Sequence, residues 1–190
     1  MKKIIIISFI CLFVFNNLLF AHDDKNIHPS ITQKAAQNST FDVYLKNNLN
    51  FTDGINTKLP TNGKKVLLDW LKDGSFAEDS PMCRASNHFL DPIKSWDTAA
   101  MSDSPWWINV YCNSWSPYYS TVTWATGFTD PASTPIPYNP YNEKSPNMWA
   151  NARMLYYNAL TATNQTTREN NFAQMFKALG QTMHLLQEVA

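Results

Sequence analysis

Residues 167–190 read TRENNFAQMFKALGQTMHLLQEVA, and this stretch decides the fold class. Phe172, Met175, Phe176, Leu179, Met183 and Leu186 recur at steps of three and four, the period of one apolar helix face. Earlier segments repeat the pattern in shorter form. Residues 64–72 place Val66, Leu67, Trp70 and Leu71 on one face, with Gly74 as the expected stop. Residues 41–49 do the same with Phe41, Tyr44, Leu45 and Leu49. Pro29 fits the first position of a short helix carrying Ile31, Ala35 and Ala36, because its missing N–H would have gone unpaired there anyway. Ser145-Pro146, a cap followed by proline, leads Trp149, Ala152, Leu155, Tyr156 and Leu160 onto a further face. The expected class is all-α.

Residues 102–146 interrupt the helices. Seven prolines fall there, which forbids long helices, while Trp106, Trp107, Tyr118, Tyr119 and Trp124 argue against simple disorder. A packed, irregular excursion holding at most a short hairpin is expected, within one multi-helical domain.

The beginning of the chain carries a different signal. Lys2 and Lys3 precede an apolar run from Ile4 to Phe15, and Ala21 stands before a polar sequence, the pattern of a secretory signal peptide. The apolar run falls short of the roughly 20 residues a membrane span needs. The sequence therefore predicts a signal peptide over residues 1–21, a secreted or periplasmic domain over residues 22–190, and no stable transmembrane anchor. Cys83 and Cys112 then lie in a compartment that permits oxidation, either as a disulfide or as two buried thiols.

Composition removes several functions. Fifteen Lys+Arg balance fifteen Asp+Glu, which disfavours a nucleic-acid partner because no basic excess is available to release counterions. The five glycines are too scattered to cradle a phosphate, and no G-x-S-x-G or H-E-x-x-H occurs.

Three of the four histidines stand in chemically suggestive places. His184 and Glu188 are four residues apart on the last helix, so both project from one face and can share a cation. Glu78-Asp79 precedes Arg84, Asn87, His88 and Asp91 on one irregular loop, where an acid and a histidine can converge on a metal with Arg84 or Asn87 in support. The alternative is a loop whose acids pair with Arg84. His28-Pro29 lies just inside the expected mature terminus, whose new α-amine is itself a nitrogen ligand once a metal competes for its lone pair.

In order and spacing these pieces resemble the bacterial zinc-dependent phospholipase C family, whose all-α fold is shared with fungal single-strand nucleases. The resemblance runs through His28-Pro29, Glu78-Asp79, Asn87-His88-Phe89-Leu90-Asp91-Pro92, Trp149-Ala150, and Leu179-Gly180 with His184-Leu185-Leu186-Gln187-Glu188. It implies that Asp79, His88, His184 and Glu188 hold one Zn2+. It further implies that His28 and the terminal amine, at His22 if the signal is cut after Ala21, hold another, bridged by Glu188. Glu188 stands where the family has Asp, a longer arm. Asp79 would orient the attacking water.

In such enzymes the last helix continues to a Pro-x-His segment and further ligands, so the resemblance predicts an N-terminal part with weak or no activity alone. The expected function is an exported zinc-dependent hydrolase of a phospholipid or other phosphodiester. The alternatives are a nuclease of the same superfamily, a non-catalytic exported helical binding protein, and an adhesion module using the aromatic excursion.

Overall fold

The computed structural model describes residues 26–59, 65–101, 106–112, 118–139, 142, 144–146 and 148–189. The expected signal peptide and His22 lie outside the described residues. The fold is all-α, with helices α1 (Ile27–Asn38), α2 (Phe41–Leu49), α3 (Leu67–Ala77), α4 (Trp106–Cys112), α5 (Thr121–Thr126), α6 (Met148–Thr161) and α7 (Gln165–Glu188). Among the described residues there are also two 3-10 turns, Gly54–Asn56 and Met82–Asn87.

α7 is the longest element, as its periodicity predicts. The Asn164 side chain starts it by accepting from the Thr167 N–H at 3.0 Å, which satisfies one of the first turn's unpaired donors. Its buried face runs Phe172, Ala173, Met175, Phe176, Ala178, Gly180, His184 and Leu185. The apolar pattern had placed Leu186 on this face, but Leu186 is 62% exposed and Leu185 takes the buried position. A helix of 3.6 residues per turn drifts from a strict seven-residue repeat, and beyond Gly180 the inward register passes through His184.

α3 and α7 build the core with α2 and α6. Leu45, Leu67, Leu71, Phe172 and Phe176 are buried together, with the Phe41 and Phe176 rings edge-on at 6.0 Å. Gly74 does not end α3 as expected; the helix runs on to Ala77. A Cβ on Gly74 would lie 1.9 Å from the Lys177 carbonyl oxygen, and one on Gly180 would lie 2.0 Å from the Leu71 carbonyl oxygen. Each helix thus presents a glycine where the other's backbone passes, which explains both residues as contact points. α3 also starts later than expected, because Val66 is extended and bridges to Lys58.

Two other helix starts move. Pro29 is the third residue of α1, still within the first turn, where an N–H has no partner in the helix. α6 begins at Met148, and Ser145 instead accepts from the Asn139 N–H at 2.9 Å, folding the end of the excursion back on itself. The excursion shows no hairpin among the described residues; it carries α4 and α5. Ser120 caps α5 by accepting from the Thr123 N–H, and Gly127 ends it in the left-handed conformation at φ 77°. A Cys83–Cys112 disulfide, with Cα atoms 5.3 Å apart, ties α4 to the second 3-10 turn. No helix among the described residues is long and apolar enough to cross a membrane.

A methyl group at the crossing must push two backbones apart. We expect Gly180→Ala to cost about 3 kcal/mol, despite alanine's better helix propensity. Urea unfolding measures this, and a change within about 0.5 kcal/mol, the range of an ordinary surface substitution, would contradict the tight crossing.

Candidate metal centre

Four parts of the fold deliver the cluster. α1 carries His28, the end of α3 leads into Glu78 and Asp79, His88 follows the second 3-10 turn, and the last turns of α7 carry His184, Gln187 and Glu188. The α3–α7 crossing places the Ser75 carbonyl 2.7 Å from His184 Nδ1. A carbonyl only accepts, so Nδ1 carries the proton and His184 Nε2 is left with its lone pair. That atom points to Asp79 Oδ1 at 3.5 Å and Glu188 Oε1 at 3.9 Å.

His28 is held in the same manner. Gln187 Nε2 donates to Thr32 Oγ1 at 2.9 Å, and Thr32 Oγ1 donates to Ser75 Oγ at 3.0 Å. This fixes the Gln187 amide with its oxygen toward His28, where it accepts from Nδ1 at 3.0 Å. His28 Nε2 then lies 2.8 Å from Glu188 Oε1, an ion pair when the ring carries its second proton. The His28 and His184 rings are 4.0 Å apart, and those of His88 and His184 are 4.8 Å apart. His88 Nδ1 is 3.5 Å from Asp79 Oδ1, and its Nε2 is 3.7 Å from Glu78 Oε1.

The donor set fits a metal ion on two grounds. His28, Asp79 and His184 offer ligand atoms that all lie within 4.8 Å of one another, close enough to share one cation. Among the described residues, His88 Nε2 and His184 Nε2 are buried without a hydrogen-bond partner, a state that costs free energy unless something else satisfies the nitrogen. Burial is the main force pushing His184 down to about 4, and the neighbouring His88 and His28 add to it. His184 is therefore neutral at ordinary pH, as a nitrogen ligand must be. Imidazole with carboxylate oxygen is a borderline-hard set.

Five of the six expected ligands, His28, Asp79, His88, His184 and Glu188, thus meet in one cluster. His22 lies outside the described residues. The structure draws His28 into the group with Asp79 and His184, while His88 and Glu188 stand at its two sides.

Sequence reasoning gave Glu78 too little weight. It is fully buried and accepts from Trp124 Nε1 at 2.6 Å, Arg84 Nη2 at 2.7 Å and Gln181 Nε2 at 2.9 Å. Burial alone would push its carboxyl up. His88, Arg84 and Trp124 together outweigh burial and hold it below its ordinary value. Arg84 also lies 5.1 Å from the centre of the Trp124 ring. The one available signal was Arg84 six residues on, the acid–arginine pairing read as the alternative. Nothing in the local sequence marked Trp124, Gln181 or Thr32 as partners.

No protein-family model, curated protein or solved structure matches this chain.

Two outcomes follow. Folded His184 takes its proton only near pH 4, whereas the unfolded residue takes it near 6.5. Between those values the unfolded chain binds more protons, so the metal-free protein should lose stability as pH falls through that window. Urea midpoints at neutral pH and near pH 5 measure this; equal midpoints would contradict it. Glu78→Gln leaves Arg84 buried without its counter-charge and should cost about 3 kcal/mol or more. Near-neutral behaviour in thermal unfolding would show that Glu78 is not the hub.

Proposed function

We propose that the chain acts as an exported zinc-dependent phosphodiester hydrolase, similar to phospholipase C. The observation that supports it is the convergence of three imidazoles on two carboxylates. The outer nitrogens of His28 and His184 are already engaged by Gln187 and Ser75.

The charge balance of the cluster favours this reading. Burial keeps His184 neutral at ordinary pH, so the cluster's own imidazole there offers no positive charge to a phosphodiester, and a bound cation would supply it. Asp79, His88, His184 and Glu188, with His28, would hold zinc, the usual partner of such nitrogen and oxygen donors. Bound zinc supplies a lowered pKa for water and charge neutralisation at phosphoryl oxygens.

The chain's own residues do the rest. Asp79 and Glu188 are the solvent-reaching members, with side chains 23% and 26% exposed, while the three rings are buried. Substrate therefore approaches from the carboxylate side. Asp79 would orient the attacking water by accepting a hydrogen bond from it, and its position between His88 and His184 fixes its own orientation. The buried imidazoles keep bulk water off the opposite side.

A lipid ester fits better than a nucleic acid. The described part of α4 exposes Trp106, Val110 and Tyr111, apolar and amphipathic side chains suited to a lipid surface. The balanced net charge offers no basic excess for a polyanion.

Zinc titration of the purified chain, followed by a chromogenic phosphocholine ester and single-stranded DNA as substrates, tests the proposal. Tight zinc binding, weakened more than about tenfold in His88→Ala and in His184→Ala, is expected, with slow ester cleavage exceeding any nuclease activity. Absence of binding at micromolar zinc would overturn the proposal. Zinc binding with no cleavage of either substrate would favour a non-catalytic helical binding protein.

A further inference from the structure

α1, α2, α6 and α7 leave an apolar groove between them. It has two recesses, one of about 390 Å3 along α1 and α7 and one of about 250 Å3 among α2, α6 and α7. Phe41, Trp149 and Leu179 line both, so the two adjoin. The larger recess alone has the size of a small-molecule site. Leu179, Met183 and Leu186 follow one another at helical steps, so Leu186, exposed and off the core face, continues the wall of this groove.

Polar groups are few in the groove and unevenly placed. In the larger recess the two hydroxyls are spent on the backbone: Ser39 donates to the Ala36 carbonyl at 3.0 Å and Thr182 to the Ala178 carbonyl at 3.1 Å. The smaller recess differs. Arg153 is its one charged lining residue among those described; it is exposed and makes no hydrogen bond or ion pair with a described residue. An arginine stem covers apolar surface while its guanidinium stays in water. Tyr156 stands three residues further on, on the same side of α6, and its hydroxyl meets that of Tyr44 at 3.1 Å. Only one hydroxyl donates in that bond, so the other keeps an O–H with no acceptor among the described residues.

A free guanidinium and an unspent O–H in one recess, with carbon through the other, are the complement of one carboxylate on one hydrocarbon chain. A polar peptide would find no partners in the larger recess, and a neutral chain would leave Arg153 unused. We propose that the groove binds a single-chain fatty acid. Its carboxylate lies on Arg153 and the Tyr44–Tyr156 hydroxyl pair, and its chain runs past Phe41 and Trp149 to Met183 and Leu186. The groove shares no residue with the metal cluster, and the proposal does not rest on the hydrolase reading.

Calorimetric titration of the full chain with dodecanoate, below its micelle concentration, at low salt and about pH 8, tests the proposal. Saturable binding is expected. Decanoate, two methylenes shorter, should bind about fifteenfold more weakly. Dodecyltrimethylammonium, the same chain with the opposite head charge, should not displace dodecanoate. Arg153→Gln should weaken dodecanoate about tenfold, the loss of one charge-assisted hydrogen bond. Ala35→Trp, at an exposed helix position, should fill the larger recess and remove the preference for the longer chain. His184→Ala should change nothing. No binding at millimolar dodecanoate, or unchanged affinity in Arg153→Gln, overturns the proposal. So does loss of binding in His184→Ala, which would move the carboxylate to the metal cluster. Self-association that Ala35→Trp abolishes, without dodecanoate binding, would give the groove to a second copy of the chain and overturn it too.

Discussion

The close crossing of α3 and α7 is the constraint on which the rest of the molecule depends. Two carbonyl oxygens, from Leu71 and Lys177, occupy the space that side chains at Gly180 and Gly74 would need. At that separation the helices cannot slide or rotate without losing contact, because protein interiors pack like organic crystals. The crossing does two jobs. On one side it buries Leu71, Phe172 and Phe176 as core. On the other it brings the Ser75 carbonyl against His184, fixing which nitrogen of the ring faces the cluster. The chemistry is referenced to the same point as the core.

Glu78 performs a comparable task without apolar packing. A buried carboxylate is tolerable only when its partners are complete. Here one partner comes from the 3-10 turn, one from α5 and one from α7, so a single side chain registers three elements. The loop that carries Asp79 and His88 is thereby braced from behind, while the covalent Cys83–Cys112 link braces it from the side. The excursion, poor in regular structure, is held by the disulfide at Cys112 and by Trp124.

The helical class was legible because apolar period needs no knowledge of partners, and α2 and α7 follow it closely. What failed was whatever depends on a neighbour. A glycine that stops a helix and a glycine that admits another backbone look alike in sequence, and Gly74 was misread for that reason. Leu185 and Leu186 differ only in which side of a drifting register meets the core. Ser145 looked like a cap because it precedes a proline, yet its hydrogen bond goes backward to Asn139. The site divides similarly. His184 and Glu188 were readable from their spacing, and the convergence of His28 and His88 upon them came from resemblance and order. The bonds that orient the rings link residues more than a hundred positions apart, as with Gln187 and Thr32, and have no local signature.

The hydrogen bonds around the two neighbouring imidazoles also determine a proton inventory. His184 enters the folded state already neutral, its only N–H spent on a carbonyl, so a cation arriving there has nothing to displace. His28 differs: its Nε2 already lies 2.8 Å from Glu188 Oε1, so that edge of the ring is engaged within the protein. The two imidazoles thus differ at their inward edges, with an open lone pair at His184 Nε2 and a nitrogen already in contact with a carboxylate at His28.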